Sequence, residues 1–88
     1  MKKKFYVIVL KEKNGEYSYS HMFLAELNPR ASVYKHAEKI ARTFYDGKCI
    51  EDSGYYLFHS DAIAVGVQGV VEVSKSEFDV LKQFLSIL

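Results

Sequence analysis

An α+β fold of order ββαββα, a four-stranded mainly antiparallel sheet with two helices packed on one face, is what this sequence predicts. Three observations carry the prediction. Asn14-Gly15 stands between two runs rich in β-branched and aromatic residues, KKFYVIVLK and EYSYSHMFLAE, which is the strongest short hairpin signal. Apolar residues then recur at helical spacing, at Val33, Ala37, Ile40, Ala41 and Phe44. Last, a second pair of strand-like runs, YYLF and AIAVGVQGVVEV, leads into Ser74-Lys75-Ser76-Glu77, the pattern of a capping box.

Each element has its own reason. In the first hairpin a two-residue type I′ turn at Asn14-Gly15 sets Lys13 against Glu16, Leu10 against Tyr19, Ile8 against His21 and Tyr6 against Phe23. The other face then pairs Val9 with Ser20, Val7 with Met22 and Phe5 with Leu24, so both faces are largely apolar. Asn28-Pro29 opens the first helix, Asn as cap and Pro with its φ already set, and Asp46-Gly47 closes it. KCIEDSG reads as a loop, YYLF as a short strand and His59-Ser60-Asp61 as a tight turn. The long strand after it places Ile63, Val65, Val67, Val71 and Val73 on one face, with Gly66 and Gly69 marking a bulge or a close backbone approach. The final helix runs to the end of the chain and buries Phe78, Leu81, Leu85 and Leu88, with Val80, Phe84 and Ile87 widening the stripe.

The stretch FYVIVLKEKNGEYSYS resembles the hairpin that begins HicB-type antitoxins. The Pro-Gly-containing segment that follows in that family is absent here, and no residue role is carried over.

The 88 residues form a single domain, 49% hydrophobic and 26% charged, which is an ordinary globular composition. The apolar run Phe5–Leu10 is too short for a signal peptide and is ended by Lys11-Glu12-Lys13, and no run approaches the ~20 apolar residues of a membrane span. One cysteine, Cys49, forms no internal disulfide and rules out a cysteine-based zinc cluster, which fits a cytoplasmic protein. The net charge of +1 is unevenly spread: residues 1–48 hold ten Lys/Arg and five Asp/Glu, residues 49–88 two Lys and six Asp/Glu. Such a dipole can steer the basic half toward phosphate or toward another copy's acidic half.

The aromatic row Tyr17, Tyr19, His21, Phe23 raises the functional question. If the helices cover the Phe5/Val7/Val9 side, then Tyr6, Ile8, Leu10, Tyr19, His21 and Phe23 form an uncovered interaction face. Tyrosine suits such a face, with an apolar body and a hydrated hydroxyl. If instead the helices cover the aromatic side, the row is core. A two-fold homodimer is the commonest use of an open face. The runner-up is single-stranded nucleic acid, with the rings stacking bases and Lys35, Lys39 and Arg42, at i, i+4 and i+7 of the first helix, as phosphate contacts.

Catalysis draws less support. His59-Ser60-Asp61 is explained by turn chemistry, Cys49 lacks a nucleophile motif, and a His21/His59/Asp61 metal site has no local ligand spacing behind it. The expectation is a small non-enzymatic binding or regulatory module without cofactor or metal, a homodimer through its aromatic sheet face.

Overall fold

The computed structural model describes residues 2–45, 47–59 and 62–87. Strands β1 (Lys4–Asn14) and β2 (Tyr17–Leu27) form the first hairpin, but its turn is Gly15-Glu16 rather than Asn14-Gly15. Of these two residues only Gly15 takes a positive φ, 64°, the requirement of a type II′ turn. Moving the turn by one residue moves every cross-strand partner by two. Ile8 therefore meets Phe23 and Leu10 meets His21. A shift of two leaves every side chain on its expected face, so the face assignments survive the corrected register.

After α1 (Val33–Arg42) come β3 (Ile50–Asp52), β4 (Tyr55–Phe58), β5 (Ile63–Val73), α2 (Lys75–Leu81) and β6 (Ser86–Ile87). The α+β class holds, with two strands more than expected. Among the described residues the sheet has six strands in the order β3-β4-β5-β1-β2-β6, antiparallel except for β6 beside β2. β3 replaces part of the expected loop: Ser53-Gly54, with φ of 52° and 84°, makes a tight turn that sets Asp52 against Tyr55. All three of its side chains are exposed and two are acidic, which protects that sheet edge but hides the strand from a pattern reading. β6 replaces the end of the expected last helix. The helix tightens into a turn after Leu81, and residues 86–87 pair with β2 at Phe23 and Leu24.

The first helix starts later and ends earlier than its sequence signals. The Asn28 side chain accepts from the Arg30 amide at 3.0 Å and its carbonyl from the Ala31 amide at 2.9 Å, so Asn28-Pro29 builds a turn. Ser32 is the N-cap, accepting from the Lys35 amide at 3.3 Å. The helix stops at Arg42, leaving Phe44 and Tyr45 beyond it; the expected stop at Asp46 lies outside the described residues. The capping box of α2 is as expected, with Ser74 Oγ accepting from the Glu77 amide and the Glu77 carboxylate from the Ser74 amide.

The helices lie on opposite faces, which corrects the expectation of one. α1 covers Ile8 and Leu10 of β1, Ala25 of β2, Val65 of β5 and Tyr56 and Phe58 of β4, and its Ala37, Ile40 and Ala41 close the core. The small alanines let the helix approach the sheet closely. Phe5 alternates to the other face, where it meets Phe78 of α2 at 4.7 Å between ring centroids. Leu24, paired with Val7, is buried on this second face.

A bulge in β5 divides its valines. The pairing with β1 shifts between Val9 and Leu10 and skips Gln68, so Ile63, Val65 and Val67 face α1 while Val71 and Val73 face the α2 side. The expected single stripe is therefore split, and Val70 joins the α1 core in place of Val71. Both glycine expectations are met: Gly69 sits at the bulge, and a Cβ on Gly66 would stand 2.9 Å from the Tyr55 ring.

Candidate functional site

Among the described residues, the sheet places one charged side chain in the core. Glu12 is in phase with Ile8 and Leu10, and is only 3% exposed. A buried carboxylate is tolerated only when its oxygens are bonded. His21 Nε2 lies 2.7 Å from Glu12 Oε1, across the β1–β2 ladder on the diagonal, and the Tyr45 hydroxyl donates to Glu12 Oε2. That hydrogen bond, then burial, pushes the Tyr45 hydroxyl up from 10.0 to about 12. Tyr45 is held in turn by edge contacts to Phe44 at 5.0 Å and Phe58 at 5.5 Å. The cluster pins the chain leaving α1 onto the sheet. With the bond at Nε2, Glu12 also fixes the His21 ring in orientation.

From this anchor an aromatic row runs outward along β2. Phe44 meets His21 at 4.8 Å, His21 meets Tyr19 at 6.5 Å, and Tyr19 stacks on Tyr17 at 6.5 Å and 22°. Tyr17 and Tyr19 are 62% and 48% exposed, beyond the reach of α1. A cleft of about 330 Å³ between Phe23, Ile40, Thr43 and Phe44 flanks the inner end of the row.

The expected interaction face is thus divided. Ile8 and Leu10 are fully buried, a correction that follows from α1 covering the aromatic side. Tyr6, His21 and Phe23 are half-buried, and Tyr19 remains open. Lys35, Lys39 and Arg42 are exposed on α1. They do not line the row: at ~100° per residue all three share the outward face of α1, opposite the buried Ala37, Ile40 and Ala41. The ring of His59 faces Tyr45 at 6.1 Å; Ser60 and Asp61 lie outside the described residues. Cys49 donates to the Arg42 carbonyl at 3.6 Å. Among the described residues no three His, Cys, Asp or Glu side chains gather to hold a metal ion, and no helix is long and apolar enough to cross a membrane.

Sequence reasoning missed Glu12 and Tyr45. Glu12 carried a signal, a charge in phase with the Tyr6-Ile8-Leu10 alternation, masked by its neighbours Lys11 and Lys13. Tyr45 carried none, because its partner is 33 residues away.

The α2 side differs in chemistry. Its cross-strand rows place Ile50, Val71, Met22 and Ile87 outward, and Val80 and Phe84 stand on α2 and the turn after it; all six are exposed. Among the described residues, the exposed large hydrophobics of the α1 side, Tyr17, Tyr19 and Tyr34, are all tyrosines. Compared with models of known protein families, with curated proteins and with solved structures, the chain matches none.

Proposed function

We propose that this chain is a small non-enzymatic binding module that works as a self-associated pair in the cytoplasm, joined through the α2 side of its sheet. One observation carries the reading. Among the described residues, every exposed large hydrophobic that lacks a polar atom or carries only a thioether (Met22, Ile50, Val71, Val80, Phe84, Ile87) lies on that side. Tyrosine can remain hydrated through its hydroxyl, whereas a clustered set of aliphatic side chains and a phenyl ring gains from cover. The non-enzymatic part rests on Glu12, which spends both carboxylate oxygens on His21 and Tyr45 within the fold. Size exclusion with light scattering tests the pair: about twice the 10.1 kDa chain mass is expected at low and high salt alike. A single-chain mass throughout would remove the reading.

A second reading keeps single-stranded nucleic acid, on the strength of the near-parallel Tyr17–Tyr19 pair extended by His21. Each stacked base contributes ~1–3 kcal/mol. Anisotropy of a labelled oligonucleotide should then show affinity falling steeply with salt, and at least tenfold with Tyr17→Ala and Tyr19→Ala together. No binding at low salt would sink it.

A further inference from the structure

We propose that the outer edge of β2 binds an extended peptide, which adds as a strand beside Tyr17–Met22 and lays apolar side chains along the α1 side. This goes beyond the self-association reading and does not rest on it. The phase of the hairpin prepares the edge. Residues flanking a two-residue turn exchange both backbone bonds, so Asn14 with Tyr17, Glu12 with Tyr19 and Leu10 with His21 are the bonded pairs. Ser18, Ser20 and Met22 therefore turn their N–H and C=O groups away from β1, and all three residues are exposed. Among the described residues β6 covers this edge only at Phe23 and Leu24, and no other strand lies beside it. An extended chain is what satisfies such a row of backbone groups. The opposite sheet edge is guarded by the exposed Glu51 and Asp52 of the short β3. Residues 17–22 hold no Lys, Arg, Asp, Glu or Pro, and their pairing with β1 has no bulge.

The surroundings define the peptide. Its side chains opposite Tyr17, Tyr19 and His21 stand on the α1 side, in line with the aromatic row. The side chain opposite His21 reaches on the diagonal toward Phe23 and the cleft of about 330 Å³ lined by Phe23, Ile40, Thr43 and Phe44. Phe44 stands 4.8 Å from the His21 ring, so the cleft lies next to that position. Its floor comes from the sheet and its wall from α1 and the residues after it, and no lining side chain is charged. The peptide that fits is uncharged over its bound stretch, with aliphatic or aromatic residues at alternate positions.

A second copy is the poorer occupant. Antiparallel pairing of two β2 edges about a two-fold uses Ser18, Ser20 and Met22 together only when centred on Ser20. That register sets Tyr17 of the second copy against Phe23, the place Ser86 of β6 already holds. Centred on Tyr19, the pairing bonds Ser18 and Ser20 alone and sets Gly15 opposite Phe23, which leaves the cleft empty. A separate peptide ends or turns away before β6 and meets neither limit.

A phage-displayed library of random dodecapeptides, panned on the full chain, supplies the probe. The enriched sequence is synthesised, labelled and titrated by fluorescence anisotropy. Apolar residues at alternate positions are expected, with an affinity that changes by less than about twofold between low and high salt, since no charges are paired. N-methylation of alternate peptide amides should weaken binding roughly tenfold or more in one phase and leave it nearly unchanged in the other. Ser20→Pro removes one outward N–H where an edge strand accepts proline; it should fold, by circular dichroism and thermal melt, and lose the peptide. Thr43→Phe fills the cleft from an exposed position and should weaken binding roughly tenfold while leaving the β2 backbone intact. Amide exchange by NMR should protect Ser18, Ser20 and Met22 only in the complex. No enriched sequence, equal loss in both N-methyl phases, or full affinity in Ser20→Pro and Thr43→Phe overturns the proposal. Protection of those amides in the unliganded chain, fading on dilution, assigns the edge to a second copy and overturns it too. The α2-side pair is tested by mass alone, so the two readings fail separately.

Discussion

Glu12 decides much at the level of single residues, because a carboxylate taken out of water must keep its partners. Tyr45→Phe removes one donor to a charged acceptor and should cost roughly 1.5–3 kcal/mol in urea unfolding. It should also remove an alkaline dependence. The Tyr45 hydroxyl is raised from 10.0 to about 12, so the folded chain holds that proton where the unfolded chain has lost it. Its contribution is fully present below pH 10 and is lost as pH rises through about 12. Melts between those values should fall less steeply in Tyr45→Phe than in the wild type; equal slopes would show that the Glu12 bond does not set this proton. Glu12→Ala, which strands both His21 and Tyr45 at a partly buried site, should destabilise by roughly 3 kcal/mol or more. The sequence offered His21 by its type and its row, but the carboxylate beneath it depends on which face the helix covers.

Among the elements, local chemistry was legible wherever neighbours in sequence supply the bonds. The capping box of α2 joins Ser74 to Glu77 three residues on, and it appears as the pattern predicts. Ser74→Ala should cost about 0.5–2 kcal/mol by urea unfolding. Bonds to Ser74 hold the Glu77 carboxyl below its usual value of 4.5, and bonding to Lys75 does the same for Asp79 from 3.8. These contributions are present above the unfolded values and fade as the pH falls through the lowered folded ones. Acid melts below about pH 4.5 should therefore be flatter in Glu77→Ala; an unchanged acid limb would separate the cap from acid stability. Where an element lacks an apolar alternation or depends on a distant strand, the pattern failed. The short acidic β3 carries no such alternation although β4 follows two residues on, and β6 forms because the distant β2 edge offers backbone partners. The bulge at Gln68 puts Val70 on the α1 side and Val71 on the α2 side; deleting Gln68 keeps both assignments in a regular strand, so that variant should still melt cooperatively, and loss of a cooperative thermal melt would show that the bulge itself is required.

Taken as a whole, the molecule has an α1 face covered except at its Tyr17–Tyr19 end and an α2 face covered only in part, and its exposed apolar residues follow that division. Leu10→Lys, beneath α1, should destabilise by roughly 3–5 kcal/mol, whereas Tyr19→Lys should fold with a melt close to wild type. Thermal melts of the two variants check this directly: loss of folding in Tyr19→Lys would extend the core over the whole aromatic row. By itself the sequence determined the α+β class, the two helices with their helical spacing, the strand alternation and the cap at Ser74, since all of these rest on interactions within a few residues. Only the tertiary structure decided which face each helix covers, the phase of β5 across its bulge, and the burial of Glu12 against His21 and Tyr45. Both faces of the first hairpin are apolar enough to be core, so its pattern of alternation fits either packing. The choice falls to contacts between residues far apart in the chain, and no local periodicity records them.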